Sequence, residues 1–487
     1  MHRPIHLDRT RDEPQQNQLF EQLRGLIVAG TLKPNSRIIA TRFLSEQMKV
    51  SRTTVLLAYE RLIAEGYLET RPAVGTFVCE TLPASGTEPG GLLRFAAEQG
   101  AGAPPVQRRH PTIDFALSPD NRYFPYKSWQ KITQTVMDGQ ARHPEPIDDH
   151  PHGCGLMPLR SVIAEWLAFH RGIIADPEQV VVVSGKQQAL AICATLVGLA
   201  RRTAVVEAPG DPHAAELFNS FGARLRFCPV DDQGLGVGLL PEEPVALLHV
   251  TPSRQRPLGM TLPLERREAL LAWAQRSGAI LLEDDSDGDF RYQGSAQPSL
   301  YSLDPQGCVI YLRSFSETMS PGLRLVYMVV PRDMAEAARR VKACLDSGTP
   351  WFEQRVLTEF IASGEYDRHL RVARRALLER RDALIDRLRR HFADARLIGT
   401  SAGSHVSWQL PESLGSAERA QQIAALQGIN VYRPLSGNAA SRRNDLLLGY
   451  GALEVADIHR GVDRLAELLR GSQDEDSAFA RGLAAAG

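Results

Sequence analysis

Five short segments between residues 185 and 324 collect reactive and ion-binding side chains. Each follows a run that reads as a buried strand. The strand at 179–184 opens onto Gly185-Lys186-Gln187-Gln188, and the strand at 204–207 onto Ala208-Pro209-Gly210-Asp211. The strand at 245–250 opens onto Thr251-Pro252-Ser253-Arg254-Gln255-Arg256-Pro257. The strand at 279–282 ends in Glu283-Asp284-Asp285-Ser286-Asp287, and the strand at 308–312 enters the run S-F-S-E-T-M-S-P-G-L-R, residues 314–324. Open α/β sheets bind ligands in the loops beyond the C-terminal ends of their strands, so five such loops point to one shared pocket. Gly185 lies where a strand turns into a helix N-terminus. Free N–H groups and the helix dipole suit such a turn to an anion.

A second group of polar side chains lies near the start of the chain. Ser51-Arg52-Thr53-Thr54 forms the first turn of an expected helix, with Ser51 as N-cap. Val50 and Val55 occupy the positions of a hydrophobic staple, and Leu56, Tyr59, Leu62 and Ile63 line one face as far as Gly66. An earlier helix over 16–30 repeats Leu19, Phe20, Leu23, Leu26 and Ile27 at three- and four-residue spacing, and a second is expected from Thr41 to Met48. Residues 67–78 read as two short strands turned at 73–75. Three helices and a hairpin in this order make a small α+β winged helix-turn-helix. Its recognition helix would enter the DNA major groove N-terminus first, so Arg52 can bind guanine bidentately or grip phosphate. Thr41 and Arg42 can meet phosphate at a helix N-terminus, and Gly75 and Thr76 sit at the wing tip. Singly, Arg42 and Arg52 read equally well as solvated surface charges.

These groups need elements to hold them. Residues 1–80 form the expected DNA-binding domain. Residues 81–112, rich in Gly, Ala, Pro and Glu, form a flexible linker. From 113 to 470, strand and helix patterns alternate as in an α/β domain. Within it, 354–392 is a charged helical stretch with Leu370, Leu377, Leu384 and Leu388 on one side. Residues 471–487 are expected to be a disordered tail. Arg433, Arg442 and Arg443 are candidates for gripping a ligand carboxylate, with surface charge as the plainer reading. The chain has 487 residues, 43% of them apolar, and a formal net charge of −1, so any DNA contact must come from a local patch. Its six cysteines are scattered without a CxxC pair, which fits free cytosolic thiols rather than a disulfide frame or a zinc site. No apolar run reaches membrane-spanning length, so a cytoplasmic location without membrane contact is expected.

The runs R-I-I-A-T-R (37–42), V-S-R-T-T-V (50–55), E-G-Y-L (65–68) and G-T-F-V (75–78) resemble the GntR family of bacterial regulators. The body carries S-G-K-Q-Q-A-L (184–190), E-x-P-G (207–210), T-P-S-x-Q-x-P-x-G (251–259), P-G-L-R-L (321–325) and L-L-L-G-Y (446–450). In this order they resemble fold-type I pyridoxal-phosphate enzymes of the aspartate-aminotransferase kind, with a mostly parallel sheet and flanking helices. Together the two parts resemble the MocR subfamily of GntR regulators, named for a regulator of rhizopine catabolism. The resemblance implies a transcriptional regulator that grips a DNA operator, senses a small-molecule effector through a repurposed aminotransferase body, and forms a head-to-tail homodimer.

Carried over, the resemblance places Gly185, Lys186 and Gln187 at the cradle for the cofactor phosphate. It gives Ser314, Ser316 and Arg324 further phosphate contacts, and pairs Asp284 with the pyridine nitrogen, Asp285 being the alternative in a shifted register. It also locates six departures, five in the body and one in the head. Glu317 stands where the Schiff-base lysine belongs, and a carboxylate cannot form an imine. Ser286 and Asp211 replace tyrosines, and Arg254 and Arg256 replace a histidine and an aromatic residue. Ala40 replaces a phosphate-binding serine in the head. Pyridoxal phosphate could then bind only non-covalently. Asp284 also reads as a turn cap, Ser314 and Ser316 as plain loop hydroxyls, and Arg324 as half of a structural ion pair. Glu317 reads three ways: a solvated loop carboxylate, a partner for Lys186 or Arg254, or a direct ligand for an amine. The rival expectation is an aminotransferase with an accessory DNA-binding head.

Overall fold

The computed structural model describes Leu7 and residues 14–28, 32–71, 74–79, 113–117, 121–143, 153–286, 288–434 and 444–485. The chain divides into two compact units, Met1–Gln107 and Arg108–Gly487. The expected linker and residues Asp287, Arg442 and Arg443 lie outside the described residues.

The first unit is built from helices α1 (Gln15–Val28), α2 (Thr41–Met48) and α3 (Arg52–Ala64), then strands β1 (Leu68–Arg71) and β2 (Gly75–Val78). The strands pair antiparallel, Leu68 opposite Val78 and Arg71 opposite Gly75. One apolar core joins them: Leu19, Phe20, Leu23 and Ile27 from α1, Leu44 from α2, and Val55, Ala58, Tyr59 and Leu62 from α3. Those α3 positions follow the i, i+3, i+4, i+7 rule. Leu56 and Ile63, expected on the same face, flank it instead and are exposed. The Tyr59 hydroxyl donates to the Ile39 carbonyl at 2.7 Å, tying α3 to the segment before α2.

In the second unit, β3 (Ile113–Asp114) pairs in parallel with β14 (Ile429–Asn430). Eight strands form the main sheet: β4 (Val180–Val183), β5 (Thr203–Ala208), β6 (Arg224–Asp231), β7 (Gly234–Leu235), β8 (Leu247–Val250), β9 (Ile280–Asp284), β10 (Val309–Ser314) and β11 (Val326–Val329). Their order is β4-β11-β10-β9-β8-β5-β6-β7. Strands β10, β9, β8, β5 and β6 are successive parallel neighbours, and β11 runs antiparallel to both of its neighbours. The sheet is buried on both faces. Val181 and Val183 enter one apolar cluster and Val180 and Val182 another, as the two-residue period of a strand requires.

A smaller antiparallel sheet of β12 (Arg396–Ile398), β13 (His405–Gln409) and β15 (Asp445–Gly449) packs with the long helices Glu365–His391 and Val455–Ala485. The stretch expected as one helical run over 354–392 is two helices, because Gly364 adopts φ 74° and ends the geometry of Trp351–Ala362. The backbone of the last helix continues to Ala485, over most of the stretch expected as a disordered tail. Its Ala, Leu, Glu, Gln and Arg content favours helix, which outweighs the scattered Gly and Ser. Among the described residues, no helix is long and apolar enough to cross a membrane.

Candidate functional site

In the first unit, the Ser51 side chain accepts from the Thr54 backbone N–H at 3.0 Å and caps α3. Arg52 and Thr53 are exposed in the turn that follows. Helix α2 starts at Thr41 behind Ala40, which offers no side-chain acceptor, so its first N–H groups keep no cap. Arg42 is exposed and lies 3.6 Å from Glu46 on the same helix. Gly75 opens β2 at φ 136°, where an added Cβ would lie 2.8 Å from the Arg37 guanidinium. The chain before α2 joins the wing: Ile38 N–H donates to the Thr76 carbonyl at 2.9 Å. Arg37 therefore stands beside Gly75 and Thr76. Arg37 was missed in sequence, where R-I-I at 37–39 carries no period that marks a strand edge.

In the second unit, the five loops converge at the C-terminal ends of the parallel strands. A cavity of about 710 Å³ is lined by Lys186, Gln187, Asp211, Arg256, Glu317 and Arg433, among others. Gly185 N-caps the helix Lys186–Leu196, and a Cβ there would overlap the Arg324 guanidinium. Arg324 itself makes no ion pair among the described residues. The Ser314 hydroxyl accepts from the Ser316 N–H at 3.1 Å, and the Ser316 hydroxyl is shielded without a hydrogen-bond partner among the described residues. Gly185 thus lies against Arg324 and Ser314 against Ser316, four of the residues expected as an anion cradle, and Gln187 is exposed.

Lys186 departs from its expected place. Its ammonium reaches past the cradle to the carboxylates of Asp284 and Asp211, the latter at 2.6 Å. Burial opposes its charge, but Asp284 and Asp211 outweigh burial and hold it above the ordinary lysine range. Against the same burial, Lys186 first and His249 second bring Asp211 down to about 2 and hold Asp284 well below the usual range. Asp284 has neighbours at both oxygens, hydrogen bonds at one and cations at the other. Oδ1 accepts from the backbone and hydroxyl of Ser286, the former at 3.1 Å, and Oδ2 meets Lys186 and, at 3.4 Å, His249. His249 was missed in sequence, though a histidine inside the apolar run L-L-H-V was the available signal.

Strand alternation sends Asp285 to the other face, where it meets Arg171, Tyr311 and Arg313 in a buried ionic network. Asp284 therefore lies on the Lys186 side of the strand and Asp285 on the Arg313 side. Glu317 has a partner other than the two expected for it. It faces Arg256 at 3.5 Å, both side chains being about a third exposed. Arg254 is buried outside the pocket, donating to the Ala402 carbonyl at 3.0 Å and the His405 carbonyl at 2.6 Å. Asp211 also caps the helix Pro212–Ser220 by accepting from His213 N–H at 2.9 Å. Arg433 donates to Gln421 at 3.0 Å at the cavity wall.

Residues 15–78 match the model for bacterial regulatory proteins of the gntR family, and residues 123–461 the model for aminotransferase class I and II. The probable rhizopine catabolism regulatory protein MocR of Rhizobium meliloti is 33% identical over 477 residues, 94% of each chain. The HTH-type transcriptional regulator TauR of Rhodobacter capsulatus is 32% identical over 93% of this chain and 96% of its own. A kynurenine aminotransferase of Pyrococcus horikoshii, solved with PMP, superposes with a TM-score of 0.68 at 25% identity, covering 79% of this chain and 95% of its own. The fold and both halves of the site define a helix-turn-helix head on a fold-type I aminotransferase-like body. This chain belongs to the MocR-type regulators of the GntR family.

Proposed function

We propose that this DNA-binding transcriptional regulator reads its operator through the first turn of α3 and senses a small metabolite, of a kind that carries an amine, in its aminotransferase-like body. The observation that carries the DNA half is the capped, solvent-facing turn Ser51-Arg52-Thr53-Thr54, flanked by Thr41 and Arg42 on α2 and Gly75 and Thr76 on the wing. Such a helix enters the major groove with its polar first turn against base edges. The body is not a transaminase. Glu317 stands where an imine-forming lysine would be needed, and the carboxylate faces Arg256 instead. Any pyridoxal phosphate in this body is non-covalent. The protein acts in the cytoplasm as a head-to-tail homodimer. Arg52→Ala should weaken operator binding by about 1–3 kcal/mol and relax specificity at one base position, since a bidentate arginine contact is worth that much. Gel-shift titration on operator and scrambled DNA measures it. Equal operator affinity for both proteins contradicts the assignment.

A further inference from the structure

A bound pyridoxal cofactor needs two anchors in this fold: an anion cradle for its phosphate and a carboxylate opposite its ring nitrogen. The cradle is present, as Gly185, Ser314, Ser316 and Arg324. The carboxylate is present too, as Asp284, but both of its oxygens already face donors or cations. Ser286 donates twice to one oxygen, and Lys186 with His249 closes the other. The residues therefore fit the phosphate and not the ring.

We propose that the Lys186 ammonium is a built-in substitute for the protonated pyridine nitrogen, locked on Asp284 and Asp211, and that it excludes pyridoxal cofactors from the pocket. The cavity beside it is roomy, so the exclusion is one of charge rather than volume. A pyridinium approaching Asp284 must displace the ammonium, leaving a buried cation beside a second cation. Breaking a buried pair by removing one partner is strongly unfavourable, because the charge left behind is uncompensated. Asp211 makes the lock two-sided, and it is fixed in place by its own cap on His213 N–H. Lys186 and Asp211, the second a departure from the enzyme pattern, thus act as one device, independent of Glu317. The effector implied is one whose charged groups address Arg256, Glu317 and Arg433 at the cavity wall instead of Asp284. This inference rests on the reading of the body as a sensor and says nothing about the head.

Pyridoxamine phosphate is the probe, because it carries the same ring and phosphate but needs no lysine. Equilibrium dialysis against the full-length protein should show no saturable binding at micromolar concentration. Lys186→Ser, which frees Asp284, should bind at least tenfold more tightly. A second pair uses pyridoxal phosphate and imine absorption. Glu317→Lys alone should retain little cofactor after desalting, whereas Glu317→Lys with Lys186→Ser should retain it as an imine. Micromolar binding of pyridoxamine phosphate by the unaltered protein overturns the proposal, whether or not any variant folds. Equal cofactor retention by the single and double variants also overturns it. Operator gel shifts on the same preparations separate this result from the DNA-binding assignment.

Discussion

A carboxyl group buried as deeply as Glu207 keeps its proton. It ends β5 beneath the pocket, accepts from the Thr251 hydroxyl, and is reached by Gln255 at 3.4 Å. Burial pushes its pKa from the ordinary 4.5 up to about 8, with the hydrogen bonds only partly offsetting it. Because the folded value is the higher one, the associated stability is complete below pH 4.5. It is lost as pH rises toward 8, where the unfolded chain has already shed the proton. Glu207→Gln keeps an acceptor for Thr251 and removes the linkage. The melting temperature of the unaltered protein, measured against that of Glu207→Gln, should therefore fall between pH 5 and pH 8. A constant difference across that window contradicts the assignment. Single residues were the least legible part of the sequence. Motif order put Asp284, Glu317 and Gly185 on loops at one end of the sheet, but did not show that Lys186 would reach Asp284 or that Arg254 would be held by the 402–405 loop. Those outcomes depend on side-chain reach and on neighbours more than a hundred residues away.

Elements were more legible, because periodicity and caps are local. The strands and the helix Lys186–Leu196 fall where apolar runs and Gly185 put them, and α3 begins behind Ser51 as its cap chemistry requires. The misses have local causes. Leu56 and Ile63 share the apolar type of the α3 stripe but not its angular position. Residues 35–38 join the wing through backbone bonds, which no side-chain pattern announces. Helix α3 supplies a further test. Ser51→Ala removes the one side-chain acceptor at its start and should destabilise the head by about 1 kcal/mol, while Ser51→Gly should cost only a few tenths. Hydrogen exchange at the amides of Thr53 and Thr54 reads this directly: faster exchange in Ser51→Ala than in Ser51→Gly is expected, and the reverse order would sink the cap assignment.

At the scale of the whole molecule, charge decides how DNA binding must work. A net charge of −1 supplies no general attraction to phosphate, so affinity must come from a few placed cations in the head, and the proposed homodimer would use two heads at once. A homodimer on an operator with two half-sites meets that need, since two weak heads on one body act with the advantage of proximity. The salt dependence of binding counts the heads. Each phosphate contact removed lowers the slope of log affinity against log salt by about 0.9. Arg42 is solvent-facing on α2, with only Glu46 nearby on its own helix. If it grips phosphate in both heads of a bound dimer, Arg42→Ala should lower the slope by about 2 and weaken all sequences alike. A change of about 1 means that a single head engages the operator, and no change removes Arg42 from the interface. Sedimentation of the complex at matched salt should give two chains per operator. One chain per operator, together with a slope change of about 1, would overturn the dimeric reading while leaving the assignment of Arg42 intact.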